Sequence, residues 1–123
     1  MLFRSFYAFG CGNCVNNEPH YKAWHERYAN KKVTVLGVHT PETARERDSA
    51  QVKADASAKG LLYPIAVDGK SANWAAWANN MWPSTYLIDK KGVVRYWWYG
   101  ELNWQGAKGE ELFRGYIDDL LKE

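Results

Sequence analysis

The feature that most constrains this chain is the junction at residues 10 to 14, where an apolar run breaks at Gly10 and a Cys-x-x-Cys opens a helical stretch. Residues 2 to 9 (LFRSFYAF) are aromatic and aliphatic and read as a strand buried on at least one face. From Cys11 to about Asn30, Val15, Tyr21, Trp24 and Tyr28 include the 21, 24, 28 spacing of an amphipathic helix, with Pro19 as an expected kink. A strand running straight into a helix points to an alternating α/β architecture, because the two bury their apolar sides best in stacked layers.

The remaining segments continue that alternation. Residues 33 to 38 (VTVLGV) form a β-branched run that ends at His39-Thr40-Pro41-Glu42, where the proline cannot donate to a ladder. Residues 43 to 59 contain good helix formers with a thin apolar stripe, and Gly60 is a suitable stop, which predicts one surface helix. Pro64 to Val67 reads as a brief strand, Asp68-Gly69-Lys70 as a turn, and Ser71 as the N-cap of a helix through Ala78. Two strand-like runs, 84 to 88 and 93 to 99, flank Asp89-Lys90-Lys91-Gly92 as a hairpin. Leu112, Phe113, Tyr116, Ile117, Leu120 and Leu121 then define a one-faced final helix. The order βαβα(β)αββα predicts a single α/β domain over 1–123: a mixed sheet with helices on both faces and a C-terminal hairpin plus helix.

At 123 residues and 46% hydrophobic content, the chain can bury one core without disulfide staples. Sixteen Lys and Arg against 14 Asp and Glu leave a net charge of +2, too weak a field to recruit nucleic acid or an anionic membrane. No apolar run approaches the roughly 20 residues needed to cross a bilayer, and MLFRSFYAF lacks a signal-peptide core and cleavage site. The expectation is a soluble domain, with any N-terminal tether or extension lying upstream. Most of the 7 Trp and 8 Tyr read as core packing, and any left exposed on the strand at Trp97, Trp98 and Tyr99 could meet a partner.

Two cysteines separated by Gly12 and Asn13 close too small a loop to staple a fold. At a strand-to-helix junction, however, the first sulfur meets unpaired backbone N–H groups and the positive end of the helix dipole, which favour a thiolate. The thiolate is the attacking species in disulfide exchange, and a second thiol one turn on resolves the mixed disulfide. Cys11 is therefore the expected nucleophile and Cys14 the resolver. Half of a zinc site is the alternative reading, and it would need a third ligand such as His20 or His25 on the same helix. His39 at a strand end, and the lysine pairs at 31 to 32 and 90 to 91, read as structural or solvated residues.

With these pieces in order, the chain resembles the thioredoxin superfamily, more closely its TlpA-like branch and the DipZ-type C-terminal redoxin domains. The motifs are FYAFGCGNC, Pro19 after the second cysteine, VLGVHTPE at 35 to 42, YPIAVD at 63 to 68 and WPSTYLIDKKGVVR at 82 to 95. The resemblance implies that Pro83 is a cis-proline facing the dithiol and that Trp82 offers its backbone to an extended substrate segment, with Gly12 and Asn13 beside it. It also implies that Glu42 is an acidic residue near the dithiol, able to accept the Cys14 proton. Two departures stand out: Ser5 replaces the usual buried Asp and Gly10 the usual Trp. The implied activity is thiol-disulfide exchange with protein disulfides or dithiols, as a reductant, without a cofactor or metal. The implied setting is extracytoplasmic or periplasmic, as a monomer supplied by a membrane-bound thiol-disulfide electron donor, with no nucleic-acid partner. A non-catalytic peptide-binding module on the same fold and a metal-binding thiol protein are the alternatives.

Overall fold

A computed structural model describes residues 1–123. Its centre is β1 (Leu2–Tyr7), which pairs in parallel with β2 (Thr34–His39) and antiparallel with β4 (Ser84–Ile88). The five-stranded sheet has the order β3-β2-β1-β4-β5, with β3 (Ile65–Val67) and β5 (Val94–Tyr99) at the edges. β1 is flanked on both edges, so its backbone is paired on both sides within the sheet. The β1–β4 register sets Phe6 opposite Ser84, so Pro83 lies at the end of β1 from which the chain leaves for Cys11.

Alternation along the strands produces two cores. On one face, Phe3 meets Trp24 of helix α1 (Gly12–Arg27) edge-on at 4.8 Å, and Trp24 stacks on Phe113 of helix α4 (Gly109–Leu121) at 6.3 Å. Leu87, Ile117, Leu120 and Ala56 belong to the same cluster of 14 buried residues. On the other face, Phe6, Val38 and Tyr86 form a smaller cluster, packed by Leu36 and by Trp74 and Trp77 of the short helix α3 (Ala72–Ala76) and its end. Arg4 emerges on this thinner side, its guanidinium 4.7 Å above the Trp77 ring. Helices thus cover both faces of a mixed sheet, as the alternation required.

Several local expectations are revised. Residues 43 to 59 are not one helix: a 3-10 turn (Ala44–Arg47) precedes helix α2 (Ser49–Ala58), and between them Asp48 is extended and caps α2 through the Ala50 N–H at 2.9 Å. An N-cap must leave helical geometry to offer its side chain, and that interrupts the run. Ser71 does not cap α3, since it sits in the left-handed region and makes no side-chain bond. Asp68 caps it instead, accepting from the N–H groups of Asn73 and Trp74 at 3.0 and 2.9 Å. Helix α1 continues through the exposed Pro19, and in α4 Leu112 and Leu121 face solvent while Phe113, Ile117 and Leu120 hold the core.

Candidate active site

Helix α1 begins where the chain turns out of β1. Cys11 is its N-cap, with extended backbone (φ −87°, ψ 116°), and its sulfur accepts the Cys14 N–H at 3.2 Å. No acidic residue occupies the first turn of α1, so no side chain of that turn offsets the positive end of the helix dipole at that sulfur. Cys11 and Cys14 are joined as a disulfide, their Cα atoms 5.2 Å apart. Cys14 is 1% exposed and Cys11 9%, while Gly12 and Asn13 between them face solvent. The less buried sulfur is therefore the one at the helix N-terminus.

The loop leading into Cys11 is held from three sides. His39, fully buried at the end of β2, accepts the Phe9 N–H on Nε2 at 3.1 Å and stacks on the Phe9 ring. Burial keeps its imidazole below the usual histidine range, so the neutral ring is the acceptor this bond needs. Glu46 accepts the Gly10 N–H on Oε2 at 2.9 Å. Its Oε1 accepts from Glu42 N–H at 3.2 Å and from both Thr43 N–H and Thr43 Oγ1 at 2.8 Å. Burial by itself pushes this carboxyl up, but the donors from Gly10, Thr43 and Glu42 outweigh it and hold the group below the usual carboxylate range. Lys59 donates to the Phe9 carbonyl at 3.3 Å.

Across from the dithiol, the Trp82–Pro83 peptide is cis and Pro83 is buried. Trp82 packs against the cluster of Tyr7, Ala8, Cys11 and Cys14, stacks on Trp74 at 3.8 Å, and donates its indole N–H to the Thr40 carbonyl at 2.9 Å. Thr40 in turn donates to Asp68 at 2.8 Å, so the residue that caps α3 also braces the wall beside the cysteines. The Pro83 carbonyl accepts from Gly100, whereas the Trp82 N–H and carbonyl enter no backbone hydrogen bond.

The structure thus brings Cys11, Cys14, Gly12, Asn13, Trp82 and Pro83 to one end of the sheet. Glu42 is exposed and its carboxylate makes no hydrogen bond or ion pair, and the carboxylate of this loop that reaches the Cys11 approach is Glu46. Pro41 and Glu42 lie on the outside of the turn that Glu46 closes, because the Thr43–Glu46 capping box draws Glu46 inward. Sequence reasoning missed Glu46, whose only signal was the T-x-x-E spacing. It also missed Asn17 and Glu18, which extend the buried stripe of α1 back to Cys14 although both are polar. Asn17 is satisfied by Tyr21, Gly100 and Leu102. No three His, Cys, Asp or Glu side chains converge as a metal site.

A disulfide-joined cysteine pair capping a helix beside a cis-proline loop, on a sheet of this order, defines a thioredoxin-fold protein with a Cys-x-x-Cys pair. More particularly, the chain belongs to the AhpC/TSA family, whose family model matches residues 2–97. It is similar to Protein DipZ of Mycobacterium tuberculosis (strain CDC 1551 / Oshkosh), 39% identical over 114 residues, which cover 93% of this chain and 16% of DipZ. It therefore spans about one sixth of that relative. Thiol-disulfide oxidoreductase YkuV of Bacillus subtilis (strain 168) is 27% identical over 118 residues, covering 96% of this chain and 75% of YkuV. A thiol-disulfide isomerase from Corynebacterium glutamicum superposes with a TM-score of 0.86 at 22% identity, covering 99% of this chain and 80% of that one. The resemblance to the TlpA-like, DipZ-type redoxins stands.

Proposed function

We propose that the chain is a thiol-disulfide oxidoreductase that exchanges disulfides with protein substrates through Cys11 and Cys14. The observation that carries this reading is the joined cysteine pair at the N-terminus of α1, with the better exposed sulfur at the cap. In the reduced protein, the Cys11 thiolate attacks a substrate disulfide and forms a mixed disulfide, releasing one substrate sulfur as a thiolate. Cys14 then attacks Cys11, closes the Cys11–Cys14 bond and releases the second substrate sulfur. The free N–H and carbonyl of Trp82 support a role for this loop in pairing with an extended substrate segment, alongside Gly12 and Asn13. The resemblance supports work as a monomeric reductant outside the cytoplasm, recharged by a membrane-bound dithiol donor.

The test is a pair of variants in insulin reduction and substrate trapping. Cys14→Ser keeps the nucleophile and loses the resolver, so it accumulates a mixed disulfide with a protein substrate, while Cys11→Ser traps nothing. If both variants reduce insulin at the parent rate, the dithiol is not the active site.

A further inference from the structure

Residues 8 to 11 form the turn that carries the chain from β1 into α1, closed by the Cys11 N–H on the Ala8 carbonyl at 3.2 Å. The two residues inside the turn each give their N–H to a side chain from the end of β2 or the loop beyond it. Phe9 N–H goes to His39 Nε2 at 3.1 Å and Gly10 N–H to Glu46 Oε2 at 2.9 Å. His39 is fully buried and lies 30 residues along the chain from the amide it holds. Its ring stacks on Phe9 at 5.3 Å and stands edge-on to Tyr7 at 5.0 Å, while the Arg45 guanidinium lies 4.9 Å from the same Phe9 ring. With Lys59 on its carbonyl, Phe9 is fixed at its N–H, its carbonyl and its ring, two residues ahead of the nucleophile.

That bond admits one protonation state of the histidine. A neutral imidazole that accepts on Nε2 carries its hydrogen on Nδ1, and Nδ1 is buried with no hydrogen-bond partner. A second proton would set a donor against the Phe9 N–H and leave the other N–H unpaired, in an interior where a charge without a partner is costly. The titratable groups that face the ring are Tyr7 from β1, Glu46 from the 3-10 turn, and Asp55 and Lys59 from α2 and its end, while β3 sets Val67 opposite it. Burial lowers the imidazole, Glu46, the residue's own backbone and Asp55 raise it, and Lys59 lowers it, which leaves the group below the usual histidine range.

We propose that His39 is a positioning residue for Cys11: the neutral ring holds the Phe9 amide and, through the turn at residues 8 to 11, sets the nucleophile on the N-terminus of α1. The proposal rests on the dithiol-exchange reading above. The Cys11 thiolate gains from the helix dipole only while Cys11 keeps the N-cap position, because the effect falls off within the first turn. Freeing the Phe9 N–H releases the first peptide of the turn and lets Cys11 leave that position. Protonating His39 acts as removing its acceptor does. The nucleophile is then lost in acid more steeply than the titration of its own thiol accounts for.

The test is the rate of Cys11 alkylation by iodoacetamide against pH, in chains that carry Cys14→Ser so that one thiol reacts. His39→Leu removes the acceptor and should slow alkylation about tenfold near neutral pH, the loss expected when a thiolate gives up a helix N-terminus. His39→Gln offers an amide oxygen near the place of Nε2 and does not titrate, so it should restore the rate to within about twofold near neutral pH. As the pH falls below the usual histidine range, His39→Gln should become the faster of the two, because only the parent ring takes up a proton. A folded His39→Leu chain alkylated within about twofold of the parent overturns the proposal. A ratio of parent to His39→Gln that stays constant from about pH 4 to about pH 8 overturns it equally, and decides alone should His39→Leu not fold. A parent faster than His39→Gln in acid would show a histidine cation favouring the thiolate by its charge, and overturns it as well. Because alkylation reads Cys11 itself, chains that follow the expected profiles while the protein with both cysteines fails to reduce insulin overturn the dithiol-exchange reading and leave the role of His39 standing.

Discussion

Glu46→Ala removes a carboxylate that is 2% exposed and accepts four hydrogen bonds, from Gly10 N–H, Glu42 N–H, Thr43 N–H and Thr43 Oγ1. A hydrogen bond to an ionised group contributes about 1.5–3 kcal/mol, so four would reach a sum no single site delivers. The donors belong to Gly10, Glu42 and Thr43, all exposed, and water recovers much of their loss. The expected cost is about 2–4 kcal/mol. Glu46→Gln keeps the volume, but its single oxygen can serve Gly10 or the Thr43 side and not both, for a cost of about 1–2 kcal/mol. The pH dependence has a definite sign. Because the native carboxyl is held below its unfolded value of 4.5, its stabilisation is complete above that pH and fades as pH falls through the native pKa. Urea unfolding at a series of pH values should show the parent losing its advantage over Glu46→Gln in acid. Insulin reduction should slow in both variants, because Gly10 precedes the nucleophile. A Glu46→Ala protein within about 0.5 kcal/mol of the parent at pH 7, with an unaltered rate, would refute the anchoring argument.

The capping of α3 by Asp68 leads to a binding effect. Asp68→Ala frees the N–H groups of Asn73 and Trp74 and the Thr40 hydroxyl, costs about 1–2 kcal/mol, and loosens the Trp74–Trp82 stack. Steady-state insulin reduction should show KM raised more than kcat is lowered, and equal KM values would separate Asp68 from the substrate wall. For the larger core, Phe113→Ala opens a cavity beneath Phe3 and Trp24 and should cost about 3–5 kcal/mol in denaturant unfolding. A loss under about 1 kcal/mol would mean that α4 can collapse onto the sheet.

The order of elements, the position of the dithiol at a strand-to-helix junction, and the buried face of α4 at Phe113, Ile117 and Leu120 were all legible in the sequence. Each depends on local periodicity or on a residue type whose chemistry is tied to its place in the chain. The buried polar residues were not legible. Asn17 and Glu18 carry no apolar signature, and Glu46 and Asp68 look like ordinary surface acids until tertiary contacts surround them with donors. Glu42 stands in the loop after β2 where the resemblance sought an acid, yet the turn closed by Glu46 leaves it outside. Hydrophobic periodicity reports which face of an element avoids water. Whether a polar group is buried depends on partners distant in sequence: Gly10 for Glu46, Lys59 for Glu18 and Thr40 for Asp68. Only the packed chain brings those partners together, and so the dithiol could be read from the sequence while the acids around it were decided by the fold.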